Sequence, residues 1–517
     1  MRYNFINSNH NTILDTPLLK ILNDTSLFNE NFPFDEYHLT MAQSDVLEGI
    51  YNEPTVKIMF YRKAPFGSSY AITGGIIAFL EKLNSFSYKN LVPYLETKNY
   101  RQEFIDYVKS RDKIIAKIYS VPENSAIFPN EPIVILETNL IDSRILEGII
   151  LSEVNFATLL ATKWHRIRNA ALKNTIMEFG RRRSQNSIKS SLYAYISGID
   201  YTSNCEANAI FGIPSNGTMG HEFIQSYDSE YEAFNKWLTH NPTKPSLLID
   251  TINTLNSGLL NAEKVFLEHK ENLIKHNSWD KLSIRIDSGD LAYLSAICYN
   301  YLSKALNTEN ITIILSNDLD EYSIESILSQ LNKAGEDKVV NHISFGVGTK
   351  GVTCWGEPAL GGVCKISEKS NKYILKISNN DIKTTIAGNI RSALITDEKG
   401  HYITTLIYLH DENIEDITKC YHPNDDRKFL KIDKLNYKIT PRQHLMYISN
   451  NEKSEFVSDF VNYSLNQIRE YQDDALASLD WSYKRITSPH RAKVSLSPKV
   501  FNIRNKMIKE NIISMEK

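Results

Sequence analysis

ITIILSNDLDEYSIESILSQLNKAGEDKVVNHISFGVG, residues 311–348, sets two short apolar runs, ITIILS (311–316) and HISFGVG (342–348), around the amphipathic segment EYSIESILSQLNKAGED (321–337). Short β-branched runs are strand-like, whereas apolar residues three and four apart mark one face of a helix. The stretch therefore predicts a strand–helix–strand unit. The same texture reaches back to about residue 190. SLYAYISGID (191–200), PSLLID (245–250) and KLSIRID (281–287) read as further strands, and SGLLNAEKVFLEHKENLIKH (257–276) as an intervening helix. Repeated units of this kind build a parallel sheet.

Nearly every run ends in chemically capable residues. Asp200 follows SGI, Asp250 follows LLI, Asp287 follows IRI, Ser316-Asn317-Asp318 follow IIL, and Gly346-Val347-Gly348-Thr349 follow ISF. Functional groups at the C-terminal ends of several strands are the mark of a (β/α) barrel, while an open doubly wound sheet gathers them at one switch point. A barrel-like domain is expected over 161–390. Residues 1–160 mix helical patterns (YAITGGIIAFLEKLNSF, 70–86) with short strand-like pieces (AIFPNEPIVILE, 126–137) and read as an α+β domain, which 391–517 would complete.

The bulk properties exclude several classes. A chain of 517 residues, 42% apolar and 23% charged, is long enough for two or three domains. A formal net charge of −3 gives no electrostatic case for nucleic acid. The N-terminus MRYNFINSNHNTILDT lacks the apolar core of a secretory signal, and the apolar stretch ILEGIILSEVNFATLLA carries Glu147 and Glu153, so no membrane span is expected. Five scattered cysteines without C-x-x-C pairing argue against disulfides or a structural zinc site, and no resident metal ligands are assigned. The expected compartment is the cytoplasm.

Four segments carry candidate chemistry. In GTMGH (217–221), small residues precede His221 at the head of a helical pattern, so backbone can approach an anion there. A common surface or core histidine is the plainer reading. Imidazole is nonetheless a competent nucleophile toward phosphorus when a partner fixes its tautomer, and Asp250 is the candidate partner. RIDSGDL (285–291) offers Arg285, Asp287 and Asp290, either as a turn with a capping aspartate or as groups for an anionic, hydroxylated substrate. FGVGT (345–349) presents Gly346, Gly348 and Thr349 to a phosphate, although most such glycine pairs are turns. It is not a dinucleotide fingerprint, since the third glycine is missing. EFGRRRSQ (178–185) sets Phe179 beside three arginines, a solvated basic turn or an aromatic platform for a flat acidic ring. FDEYHLTMAQ (34–43) and FYRKAPFG (60–67) by themselves suggest only surface.

Taken in order, YHLTMAQ, FYRKAPFG, VPENSAIFPNEP, NFATLLATK, EFGRRRSQ, TSN, GTMGH, IRIDSGDL, NDLDEY, FGVGT and PALGGVCK resemble the nicotinate phosphoribosyltransferase family over roughly residues 35–370. The resemblance implies an α/β chain with the irregular (β/α) barrel of type II phosphoribosyltransferases beside a second α+β domain built from both chain ends, in a homodimer with shared sites. The implied activity is ATP-coupled synthesis of nicotinate mononucleotide and pyrophosphate from nicotinate and phosphoribosyl pyrophosphate, with Mg²⁺. The family phosphorylates the histidine matched by His221, with Asp250 as the implied orienting carboxylate. Arg182, Thr218, Arg285 and Ser203 would surround the nicotinate, between Phe179 and Tyr37 of a neighbouring chain. Arg62 would reach the phosphates in the other subunit. Gly346, Gly348 and Thr349 would hold the 5-phosphate, with Asp287 and Asp318 facing the ribose.

Several positions depart from the family pattern. Gly220 replaces an alanine, Asn317 a glycine, NSIKS follows RRRSQ's shared part in place of a glycine-proline continuation, and Cys205-Glu206-Ala207-Asn208 replaces a small apolar run. Nicotinamide phosphoribosyltransferases, the nearest alternative, carry an aspartate that accepts the amide N–H. Here either Ser203 or Asp200 falls at that place. A non-catalytic pyridine- or phosphoribosyl-binding relative, or a generic sugar-phosphate barrel enzyme, are the other readings.

Overall fold

Strand β1 (Thr175–Glu178), β2 (Tyr201–Thr202), β3 (Ser246–Leu248), β4 (Leu282–Ile286), β5 (Ile311–Leu315) and β6 (Ile343–Val347) form one sheet of six strands in the computed structural model, which describes residues 14–25, 33–376 and 384–515. The spatial order is β2-β1-β6-β5-β4-β3 and every pairing is parallel. With β2 and β3 as its edges, the sheet is a parallel half-barrel. Alternation divides its faces: Leu282, Ile284 and Ile286 of β4 and Ile343, Phe345 and Val347 of β6 are buried on one side. Ser283, Arg285, Ser344 and Gly346 take the other. Small and polar residues thus line the face that carries the candidate chemistry.

This sheet lies in a compact unit of residues 163–355. The unit ends before the boundary near 390 expected from texture, because Val363–Lys369 pairs antiparallel with Pro54–Phe60 in the other unit. One expected strand is a helix. Ser187–Ile196 is α-helical, and only Tyr201–Thr202 of that region is strand. Residues 190–196 are all buried, and a continuous apolar run does not distinguish strand from helix by its period. Asn186 decides it locally, its side chain accepting from Lys189 N at 3.0 Å as an N-cap.

A buried trio also marks this unit. Glu321 accepts from Lys163 Nζ at 2.6 Å and Arg166 Nε at 2.9 Å, with all three side chains at most 4% exposed. Removing Glu321 would take the shared carboxylate from two buried cations, whereas removing either cation would leave Glu321 paired with the other.

The described residues up to 162 and from 356 onward make the other unit, so early and late sequence share one compact unit. Its seven-stranded antiparallel sheet alternates distant segments: Val363–Lys369, Pro54–Phe60, Val134–Asn139, Ala116–Ser120 and His444–Ser449 are successive neighbours. A second, six-stranded sheet contributes Ile407, Leu409 and Leu496 to a cluster with Val56, Ile58 and Ile135. Arg442 ties early and late sequence together, donating to Glu131 and to Asp473 at 2.9 Å each. Glu123 is buried and accepts from the backbone N–H groups of Gly75 (2.6 Å) and Ile77 (2.9 Å) at the start of helix Ile76–Ser85. Burial pushes its carboxyl up to about 7.

Among the described residues one helix, Leu140–Ala171, is long and apolar enough to cross a membrane, but 67% of its apolar window is buried inside the protein, as in a core helix. Glu153 within it pairs with Lys82 at 3.0 Å.

Candidate active site

Arg285, the last inward side chain of β4, organises the C-terminal edge of the parallel sheet. Its Nε donates to Ser316 Oγ at 2.9 Å, one Nη to Thr218 Oγ1 at 3.2 Å and the other to Asp287 Oδ1 at 3.0 Å. Ser316 also donates to Asp287 Oδ1. The guanidinium lies 5.5 Å from the centre of the Phe179 ring. That ring rests on Gly346, where an added Cβ would come within 2.6 Å of it. Glycine at 346 is thus a requirement of ring packing. Four strand ends meet here: Phe179 after β1, Asp287 after β4, Ser316 after β5 and Gly346 in β6. A flat cationic-and-aromatic surface of this kind suits a planar anion.

His221 opens the helix His221–Gln225, with Gly220 extended before it. Nδ1 lies 3.0 Å from Thr251 Oγ1, and Nε2 lies 3.7 Å from Asp287 Oδ2. Asp250, the orienting carboxylate expected from its sequence position, is engaged elsewhere. Its Oδ2 accepts from Asp287 N at 3.0 Å and Ser288 Oγ at 2.5 Å, and its Oδ1 is buried without a hydrogen-bond partner among the described residues. The reason is register: Asp250 lies two residues beyond the end of β3, the edge neighbour of β4, so its carboxylate meets the turn that follows β4. Asp290 likewise serves as an N-cap, accepting from Tyr293 N at 3.1 Å. Thr251 was not singled out by the sequence, where a threonine after a strand-end aspartate carries no special signal.

The phosphate-type loop follows β6. Gly348 precedes the short helix Thr349–Val352, and Thr349 Oγ1 accepts from Arg183 Nη1 at 3.3 Å. Arg183 is therefore the guanidinium that meets this loop, and Arg182 is exposed beside it. Asn317 and Asp318 both have positive φ, +99° and +47°, so the side chain replacing glycine at 317 sits in left-handed backbone.

Asp200 and Ser203 lie at opposite ends of β2. Asp200 pairs with Arg168 at 3.2 Å and accepts from Ile176 N at 2.8 Å, at the N-terminal side of the sheet. Ser203 follows the strand, donating its N–H to Glu178 O at 2.8 Å, on the side of Phe179 and Arg285. Beneath these loops Glu178, fully buried, accepts from Gly180 N and, at 2.9 and 2.6 Å, from Ser191 Oγ and Thr202 Oγ1. It is another residue the sequence did not single out.

Two expected site residues belong to the other unit. Tyr37 is 48% exposed on the helix Glu36–Leu47, its ring 4.1 Å from that of His38, and Arg62 stacks on Phe60 at 5.5 Å. Burial of His38 lowers its pKa. Among the described residues no three or more His, Cys, Asp or Glu side chains are grouped to hold a metal ion.

Three family models match the chain: the nicotinate phosphoribosyltransferase N-terminal domain over residues 33–155, the nicotinate phosphoribosyltransferase family over 174–388 and the C-terminal domain over 394–504. The chain is 32% identical over 476 residues to the nicotinate phosphoribosyltransferase of Bacillus subtilis, covering 90% of this chain and 92% of that one. It is 29% identical to that of Dictyostelium discoideum, covering 90% and 86%. The crystal structure of human nicotinic acid phosphoribosyltransferase superposes with a TM-score of 0.72 at 20% identity, covering 92% of this chain and 99% of that chain, which shows a shared fold.

Proposed function

The chain belongs to the nicotinate phosphoribosyltransferase family, and from that premise we propose that it makes nicotinate mononucleotide and pyrophosphate from nicotinate and phosphoribosyl pyrophosphate, driven by ATP through a phosphohistidine at His221. The observation that carries the reading is Arg285, held by Ser316, Thr218 and Asp287 over the Phe179 ring. That is a seat for an aromatic carboxylate: the ring stacks, the carboxylate meets a guanidinium, and the hydroxyls of Thr218 and Ser203 and the Arg182 side chain complete it.

In the reaction the ring nitrogen's lone pair forms a bond to C1 of the ribose while the C1–O bond to pyrophosphate breaks. Asp287 and Asp318 face the ribose, where negative charge favours the oxocarbenium-like transition state. Gly346, Gly348 and Thr349 hold the 5-phosphate. Mg²⁺ would be held by the diphosphate together with one or two carboxylates from among Asp250, Asp287 and Asp318, and would neutralise charge on the leaving group. Tyr37 and Arg62 serve the site of a second copy in a homodimer, and the half-barrel is part of the irregular barrel of type II phosphoribosyltransferases. The enzyme works in the cytoplasm.

Nicotinamide is disfavoured as substrate because Asp200, the candidate carboxylate for its amide, is engaged with Arg168 and Ile176 N at the other end of β2. Purified protein incubated with phosphoribosyl pyrophosphate and Mg²⁺, offered nicotinate or nicotinamide with and without ATP, tests the proposal. Nicotinate mononucleotide, rising with ATP as ADP is released, is the expected product. Nicotinamide mononucleotide would move the chain to the sister activity, and neither product would leave a ligand-binding relative.

A further inference from the structure

We propose that Thr251 is the positioning residue of His221, its hydroxyl holding Nδ1 so that Nε2 faces the phosphoryl donor. The inference rests on the phosphohistidine reading above. The contact is direct: Thr251 Oγ1 lies 3.0 Å from Nδ1, while Asp250, the carboxylate one residue earlier, is bound to the turn after β4. Among the described residues Nε2 has the longer approach to Asp287 Oδ2, at 3.7 Å, which is beyond hydrogen-bonding distance and leaves its lone pair available.

Thr251 is well fixed for this task. The chain turns back sharply after β3: Gly258 packs so tightly on the strand that a Cβ there would lie 1.8 Å from Ile249 O. Gly258 N donates to Asn253 O at 2.9 Å, and the Asn253 side chain accepts from Asn256 N at 2.8 Å. Thr251 thus sits between a buried strand and a closed turn.

A hydroxyl suits both states of the imidazole. In phosphoryl transfer the Nε2 lone pair forms the N–P bond to the γ-phosphorus of ATP and the bond from that phosphorus to the bridging oxygen breaks, releasing ADP. Before transfer the ring must carry its proton on Nδ1, and the threonine oxygen accepts that hydrogen bond, which leaves the lone pair on Nε2; the N–P bond makes the ring cationic, and once the Nδ1 proton is released the same hydroxyl is able to donate to Nδ1. A carboxylate accepts only, so it would hold the ring permanently as the Nδ1–H form and favour its protonation. Neutral threonine therefore orients the ring without charging it.

The test compares the full-length wild type with Thr251→Ser, which keeps the hydroxyl, and Thr251→Val and Thr251→Ala, which lack it. Each is given γ-labelled ATP, and acid-labile phosphate on the protein is counted over time against His221→Asn as the blank. Thr251→Ser should label within about threefold of wild type, and the hydroxyl-free variants about five- to tenfold more slowly, as expected for one lost neutral hydrogen bond. Melting temperatures unchanged across the set would separate positioning from folding. Labelling of Thr251→Val and Thr251→Ala at the wild-type rate would overturn the proposal. Should wild type itself take up no label above the blank, the phosphohistidine reading fails. The Thr251 contact is then judged by ¹⁵N resonances of the His221 ring, identified by their loss in His221→Asn. These should shift in Thr251→Val and stay in Thr251→Ser, and identical spectra would refute the contact.

Discussion

Asp287 presents Oδ2 to Nε2 of His221 at 3.7 Å, and its other oxygen is bound to Arg285 and Ser316. One carboxylate thereby links the histidine to the proposed base seat. The two residues should fail differently when removed. His221→Ala should abolish ATP stimulation while leaving a slow ATP-independent transfer, whereas Asp287→Asn should lower both modes by about 100-fold, since it loses charge facing the ribose. Initial rates with and without ATP measure this, and an unaltered ATP response in His221→Ala would remove the phosphohistidine role.

Arg285 fills four contacts that lysine cannot reproduce with one ammonium: three hydroxyl or carboxylate acceptors and an aromatic face. Arg285→Lys should raise the KM for nicotinate by about tenfold and Arg285→Ala by about 100-fold, from loss of charge-assisted hydrogen bonds of roughly 1.5–3 kcal/mol each. Saturation curves for nicotinate at fixed phosphoribosyl pyrophosphate decide it. An unchanged KM would place the carboxylate elsewhere.

Base choice should respond to Ser203 and not to Asp200. Ser203→Asp puts a carboxylate on the base side, so the nicotinamide-to-nicotinate ratio of kcat/KM should rise at least about tenfold. Asp200→Asn should leave that ratio alone and lower stability by about 1 kcal/mol through the lost charge of its pairing with Arg168. Parallel assays with both bases, with denaturant melts, report the two effects.

Glu123 makes stability depend on pH. Its folded-state pKa, about 7, is raised above the ordinary 4.5, so the folded state binds the extra proton between those values. The contribution is fully present below pH 4.5 and is lost as pH rises through about 7, to a total of roughly 3 kcal/mol. Glu123→Gln should therefore flatten the fall in stability between about pH 5 and 7 relative to wild type. Identical pH profiles would contradict a buried, protonated Glu123.

Asn317 holds φ at +99°, where glycine is at ease and other residues are strained. Asn317→Gly should stabilise the protein by about 1 kcal/mol in urea unfolding. A loss of stability would mean that the asparagine side chain compensates for its backbone.

The parallel sheet was legible because β4, β5 and β6 are short apolar runs that each end in polar residues, and the structure turns those ends into Asp287, Ser316 and Gly348 around one edge. Arg285 and Phe179 were readable only separately, each as a group suited to an anionic or flat acidic ligand, and the structure sets the guanidinium 5.5 Å from the ring centre. The helix Ser187–Ile196 was misread because burial on all sides erases periodicity. The contact of Thr251 with His221 was not readable for a different reason: adjacent residues leave a strand in opposite directions, and only the register of β3 on β4 tells which one reaches the histidine. The antiparallel sheet of the other unit was hidden by distance, since Val56 pairs with Glu368 and Ile118 with Tyr447.

That last arrangement bears on how the chain is made. A ribosome releases Pro54–Phe60 long before Val363–Lys369, and Ala116–Ser120 longer still before His444–Ser449. Residues 163–355, by contrast, contain all six strands of their own sheet. During synthesis the middle of the protein can finish while the beginning waits, its strand edges unpaired and open to wrong partners, for the last quarter of the chain. Truncation near the C-terminus should consequently harm the N-terminal sheet first.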